Sequence, residues 1–250
     1  MNARGAGGTD RPWLLAIDTA TTQVVVVAGS PSGEVIASRF AAAEHRHGER
    51  LLATVDALVA EAGLDLAALG GVVVGTGPGA FTGLRVGLAT AKTLAHELGV
   101  PIAGVSTGAA LLAAGAAAGI AGEDVALWLP AGPHDRVEVR SGQPPHLVPG
   151  GAIAGVAEAL GAGGRDGAPE SASRLAIAVD LAGRAPDGDL ERGEAAVRGL
   201  PASLLRLGVA RLAAGSDDAA TLVPEYVMLP RGVRDGLDVG EGVSWSYDRP

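Results

Sequence analysis

The sequence predicts an α/β chain made of two related halves. Three observations carry that reading: short β-branched runs alternate with longer stretches of helical apolar periodicity, one run (Val72 to Val74) is apolar throughout like a strand at a sheet centre, and the same order of elements returns, worn down, after about residue 108. Trp13 to Ile17 and Val24 to Ala28 read as strands joined by the turn Asp18-Thr19-Ala20-Thr21-Thr22-Gln23. Ser30-Pro31-Ser32-Gly33 turns into a third strand, Glu34 to Phe40. From Glu49 to Ala62 the residues Leu51, Leu52, Val55, Leu58, Val59 and Ala62 share one helix face, and Gly63 suits the position just past the helix end. The Val72 strand runs into Gly75-Thr76-Gly77-Pro78-Gly79-Ala80-Phe81-Thr82-Gly83, then a helix to about Leu98, then a strand from Ile102 to Val105. Three strands in a meander followed by α-β-α-β imply a mixed sheet with parallel crossovers.

The second half gives strands at Val125 to Leu129, Arg136 to Arg140 and Leu175 to Val179, and helices at Ile153 to Leu160 and Ser203 to Ala214. Gly161 to Glu170 and Ala182 to Gly193 read as loops. The domain organisation expected is a disordered leader over 1–11, an N-terminal α/β domain over 12–107, a degenerate C-terminal α/β domain over 108–230 and a mobile tail over 231–250.

Composition excludes several function classes. Of 250 residues 49 are Ala and 39 Gly, while aromatics make up 3%, so the core rests on Val, Leu, Ile and close backbone contacts. No Cys is present, which removes disulfides, thiolate metal sites and cysteine nucleophiles together. The net charge is −9 and Lys92 is the sole lysine, so the chain lacks the basic stripe of a protein that grips nucleic acid unaided. The N-terminus has no secretory h-region, and the Ala/Gly-rich stretch from Ala109 to Ala121 is too short to span a membrane. The expectation is a soluble, cytoplasmic protein.

Two places hold residues that could carry chemistry. A carboxylate at a strand end followed by hydroxyls, as in Asp18, Thr19 and Thr21, can surround a phosphate or hold a hydrated metal, and the same residue types also serve as plain turn formers. The Gly-rich turn sits where backbone N–H groups could meet an anion, yet it matches neither phosphate fingerprint, and a tight strand-to-helix turn accounts for it equally. On the helix that follows, Gly83, Gly87, Ala91 and Ala95 recur every fourth residue and form a bare ridge, ready for close approach of another backbone within the domain or from a partner. His45 and His47 are two residues apart, not at the spacing of a helical metal pair.

The segments LAIDTATTQVVVVAG, HGERLL, GTGPGAFTGLRVGLATAKTLA, VPIAGVST and PEYVMLP, spread from Leu14 to Leu229, together resemble the TsaB (YeaZ) family. The resemblance implies an actin-like, sugar-kinase-like ATPase fold of the RNase H-like class, built of two duplicated α/β halves. It also implies a noncatalytic subunit of the bacterial machinery that installs threonylcarbamoyladenosine beside the anticodon of ANN-decoding tRNAs. The implied partners are the catalytic paralogue TsaD and the small ATPase TsaE, with tRNA met only indirectly and a homodimer when alone. Where the catalytic sister carries an HxxxH metal pair, this chain reads Val105-Ser106-Thr107-Gly108-Ala109-Ala110-Leu111. No catalytic residue, metal or required cofactor is therefore expected, and Asp18, Thr19 and Thr21 are expected to retain at most a vestigial nucleotide site with weak ATP or ADP binding. The family's dimer helices make Gly83, Leu84, Arg85, Gly87, Leu88 and Ala91 the expected intersubunit surface. A rival from another class is a stand-alone small-molecule kinase or ATPase on the same fold, with Asp18 on a metal.

Overall fold

The computed structural model describes residues 12–43, 47–120, 122, 125–149 and 175–227. The expected leader, His45, the helix Ile153 to Leu160, the loop Gly161 to Glu170 and the tail beyond Pro230 lie outside the described residues.

The chain runs β1 (Trp13–Asp18), β2 (Gln23–Gly29), β3 (Val35–Ala42), α1 (His47–Ala62), β4 (Leu69–Gly77), α2 (Phe81–Leu98), β5 (Ile102–Ser106), α3 (Thr107–Ala117), β6 (Ala126–Ala131), β7 (Asp135–Val139), β8 (His146–Val148), β9 (Ala176–Ala178) and α4 (Asp187–Ala214). The first sheet has the order β3-β2-β1-β4-β5, antiparallel from β3 to β1 and parallel from β1 to β5. The second has the order β8-β7-β6-β9, with β6 and β9 parallel and the other pairs antiparallel. Strand for strand, the second sheet as described repeats β1 to β4 of the first. That is the duplication of α/β halves expected from the sequence.

Alternation within each strand of the first sheet sends residues to two buried faces. Leu14, Ala16, Val25, Val27 and Val73 point toward α3 and α4, whose Leu111, Ala114, Leu200 and Leu204 also meet Leu127, Leu129, Val137 and Ile177 of the second sheet. Trp13, Leu15, Ile17, Val72 and Val74 point the other way, onto Leu51, Val55 and Leu58 of α1 and Leu88 and Ala91 of α2. The core between the sheets is thus continuous across residue 107, where the domain boundary was expected.

Three elements depart from the sequence reading. The Ala/Gly stretch after Ser106 is helix α3, capped by the Ser106 hydroxyl, which accepts from Ala109 N at 3.3 Å. A short strand, β8, forms at His146–Val148. The expected loop from Ala182 to Gly193 contains the first turns of α4, which starts at Asp187 behind Pro186 with Asp187 and Asp189 in its first turn, where acids suit the helix dipole. Beyond α4 the chain returns along β5: Asp217 N donates to Ile102 O at 2.9 Å, and Asp217 Oδ2 accepts from Gly104 N at 2.8 Å. The outward polar groups of this edge strand are thereby paired within the chain.

Candidate functional site

The turn between β1 and β2 is the point on which β4, α2 and α3 converge. Asp18, the last residue of β1, is fully buried. Its Oδ2 accepts from Thr107 Oγ1 at 2.6 Å, its Oδ1 accepts from Ala20 N at 2.9 Å, and Thr107 Oγ1 in turn accepts from Gly77 N at 3.1 Å. Burial pushes the Asp18 carboxyl up to about 6, against the two hydrogen bonds that favour the anion. Thr19, 1% exposed, donates from Oγ1 to Gly83 O on α2 at 2.7 Å. Thr21, 2% exposed, donates to Gln23 O at 3.3 Å and accepts from Gln23 N at 3.2 Å.

The glycines of the second motif explain why the turn can be so enclosed. A Cβ at position 75 would lie 1.8 Å from Asp18 Oδ2, one at 79 would lie 2.2 Å from Ala20 O, and one at 87 would lie 2.2 Å from Thr19 Oγ1. Each glycine is therefore a steric requirement of one turn residue. One further N–H of the Gly-rich turn bonds within the chain, since Ala80 N donates to Ala20 O at 2.7 Å. Gly77, at φ +107°, takes a left-handed backbone that side chains rarely adopt.

The structure places both sets of expected residues. Asp18, Thr19 and Thr21, expected to retain at most a vestigial nucleotide site, are buried with hydrogen bonds inside the chain. Gly83, Leu84, Gly87, Leu88 and Ala91, expected at an intersubunit surface, are buried on the inner face of α2, and the group that approaches Gly87 is the Thr19 side chain from the β1–β2 turn of the same chain. Of the six residues expected at an interface, Arg85 alone is exposed. Its guanidinium carbon stands 3.8 Å from the centroid of Phe81, and its Nε donates to Tyr226 Oη at 2.9 Å, with the Phe81 and Tyr226 rings 5.1 Å apart.

Comparison with known proteins follows the same lines. The family model described as TsaD, tRNA N6-adenosine threonylcarbamoyltransferase, matches residues 32–143. An uncharacterised protein of Mycobacterium tuberculosis is 45% identical over 93 residues, which is 37% of this chain and 44% of that protein. The tRNA threonylcarbamoyladenosine biosynthesis protein TsaB of Escherichia coli is 34% identical over 94 residues, 38% of this chain and 40% of that protein. These sequence matches thus span under half the length of the relatives. The solved structure of YeaZ from Pseudomonas aeruginosa is 26% identical, with 86% of this chain and 99% of that chain covered at a TM-score of 0.60. The chain is thus similar to TsaB (YeaZ) proteins, in sequence over part of its length and in fold over most of it.

Several residues at or near the turn are not singled out by the sequence reading. Thr107, which holds Asp18, lies 89 residues away from it. Asp180 bonds Thr22 across 158 residues. Glu225, from the late PEYVMLP segment, donates its N–H to Thr76 O at 2.7 Å, and burial pushes its carboxyl up while a hydrogen bond to Ser106 opposes the shift. Its Oε2 is buried without a hydrogen-bond partner. Among the described residues no three His, Asp or Glu side chains gather as metal ligands, and no helix is long and apolar enough to cross a membrane.

Proposed function

We propose that this chain is the noncatalytic partner subunit of the bacterial complex that installs threonylcarbamoyladenosine next to the anticodon of ANN-decoding tRNAs, and that it acts by binding and activating a TsaD-like paralogue. The observation that carries the reading is the likeness to YeaZ over 99% of that chain. The enclosed β1–β2 turn supports it from chemistry: Asp18 holds hydrogen bonds from Thr107 and Ala20 in a place that is fully buried, so a catalytic metal or phosphate there would first have to break them. The chain then requires no cofactor, and any ATP or ADP binding is weak. With a net charge of −9, contact with tRNA runs through the partner, and TsaE acts on the assembled complex in the cytoplasm.

The contact surface, on this reading, is the outward side of the adjacent helices α1 and α2. Leu52 on α1 is 52% exposed, an apolar residue that a partner helix would cover, and Arg85 on α2 is held in place by Phe81 and Tyr226. The same surface would pair two copies into a homodimer when the paralogue is absent. A pulldown with the tagged chain followed by mass spectrometry tests the proposal. Recovery of the TsaD-like paralogue, reduced by Leu52→Asp, is expected. Failure to recover it, or ATP turnover by the purified chain that Asp18→Ala abolishes, would favour the kinase or ATPase alternative.

A further inference from the structure

The β1–β2 turn has one residue whose donors face away from the enclosed side. Thr22 is exposed, and both its N–H and its hydroxyl are directed to the carboxylate of Asp180: Thr22 N donates to Oδ2 at 2.7 Å and Thr22 Oγ1 donates to Oδ1 at 2.6 Å. A backbone N–H and a neighbouring hydroxyl, each pointing at a separate oxygen of one anion, is the arrangement that binds oxyanions in general. Here the anion is covalently part of the chain, and it comes from the other sheet: Asp180 lies just beyond β9, whose line continues through Val179 N to Trp128 O at 3.0 Å. The backbone at Asp180 takes φ +57°, the left-handed region that Asp tolerates better than most side chains. That unusual backbone is part of how the carboxylate is aimed at the turn.

We infer that Thr22 forms an oxyanion-binding site that the carboxylate of Asp180 keeps filled, so that one side chain both latches the two halves together and excludes phosphate groups from the β1–β2 turn. The ligand class that the site takes once Asp180 is gone is a phosphate oxyanion, free or carried by a nucleotide. This assignment rests on the Thr22 and Asp180 contacts alone and stands whether or not the chain partners a tRNA-modifying enzyme.

The test uses the full-length chain labelled with 15N, in wild-type, Asp180→Gly and Asp180→Asn forms. Glycine suits φ +57° and so removes the carboxylate without backbone strain, while asparagine keeps the shape and loses the charge. Amide hydrogen exchange at Thr22 is measured first, then chemical shifts of residues 18–23 during titration with inorganic phosphate and, separately, with ADP. The Thr22 amide is expected to exchange about tenfold faster in Asp180→Gly than in wild type. Phosphate is expected to shift Thr22 and its neighbours in Asp180→Gly, where the site is empty, and to leave unchanged the wild type and Asp180→Asn, whose side chain still fills it. A response to phosphate and ADP alike marks the phosphate group as the ligand, and a response to ADP alone marks a nucleotide. Equal Thr22 exchange in wild type and Asp180→Gly overturns the latch. Phosphate shifts as large in wild type as in Asp180→Gly, or no response to either ligand in any form, overturn the oxyanion site. Should Asp180→Gly fail to fold, Asp180→Ala takes its place in both measurements.

Discussion

Adding a methyl group at Gly87 places a Cβ 2.2 Å from Thr19 Oγ1 and 3.4 Å from Thr19 Cβ, in the middle of a helix where alanine is otherwise better by about 1 kcal/mol. Thr19 is 1% exposed, so its hydroxyl cannot swing into water. It must leave the position from which it donates to Gly83 O at 2.7 Å, which forfeits a buried hydrogen bond at a cost of about 1–3 kcal/mol. Crowding of a filled core adds about 1 kcal/mol or more. Against the propensity gain, Gly87→Ala should destabilise by about 2 kcal/mol, read as a lower urea midpoint at unchanged slope. Thr19→Ala removes the obstructing oxygen and leaves the new Cβ at 3.4 Å from its neighbour, an ordinary contact. In the double variant the substitution at 87 should therefore become neutral or stabilising. The double-mutant cycle should give a coupling of about 2 kcal/mol, well beyond the roughly 0.3–0.5 kcal/mol scatter of independent sites. A Gly87→Ala chain at least as stable as wild type, or strict additivity with Thr19→Ala, would refute the packing described for this ridge.

Two further outcomes follow from the buried acids. Asp18 is raised from 3.8 to about 6 in the folded chain, so its protonation contributes stability that is fully present below about pH 3.8 and is lost as pH rises through 6. The amplitude is on the order of 3 kcal/mol. Asp18→Asn should flatten the stability curve between pH 4 and 6.5, and denaturant midpoints measured across that window check it. Glu225 is also raised by burial, and its unpartnered Oε2 sits where the chain meets Thr76 and Ser106. Glu225→Gln should therefore hold this segment more firmly at neutral pH, seen as slower hydrogen exchange at residues 225–227 and little change elsewhere.

The sequence made the first sheet legible because its inner strands β1, β2 and β4 are buried on both faces and so read as continuous apolar runs, with α1 and α2 showing clear amphipathic stripes. Helix α3 was not legible for the opposite reason. Thr107, Gly108, Ala110, Leu111, Ala114 and Gly115 are all buried between two sheets, which leaves no polar face to set the period. The start of α4 looked like a loop because Gly188 and Gly193 lower helix propensity, yet Gly193 is required where the helix crosses β9: a Cβ there would fall 1.8 Å from Ala178 O. At the candidate site the spacing of Gly83, Gly87 and Ala91 was readable, and so was the need for a close neighbour. Which neighbour meets them was not, because that is the Thr19 side chain of the turn 64 residues earlier in the chain, where its hydroxyl bonds Gly83 O. The inward set of Asp18 was hidden likewise, since Thr107 and Asp180 reach the turn only through the fold.

The role proposed for this chain in tRNA threonylcarbamoyladenosine formation is one of contact and not of chemistry of its own. Its most direct test is the content of that nucleoside in ANN-decoding tRNA, measured by liquid chromatography and mass spectrometry in cells depleted of the chain and resupplied with wild type, Asp18→Asn or Leu52→Asp. The account predicts that depletion lowers the modified nucleoside, that wild type and Asp18→Asn restore it, and that Leu52→Asp does not. An unchanged level on depletion, or rescue that fails with Asp18→Asn while the folded variant still binds its partner, would contradict it.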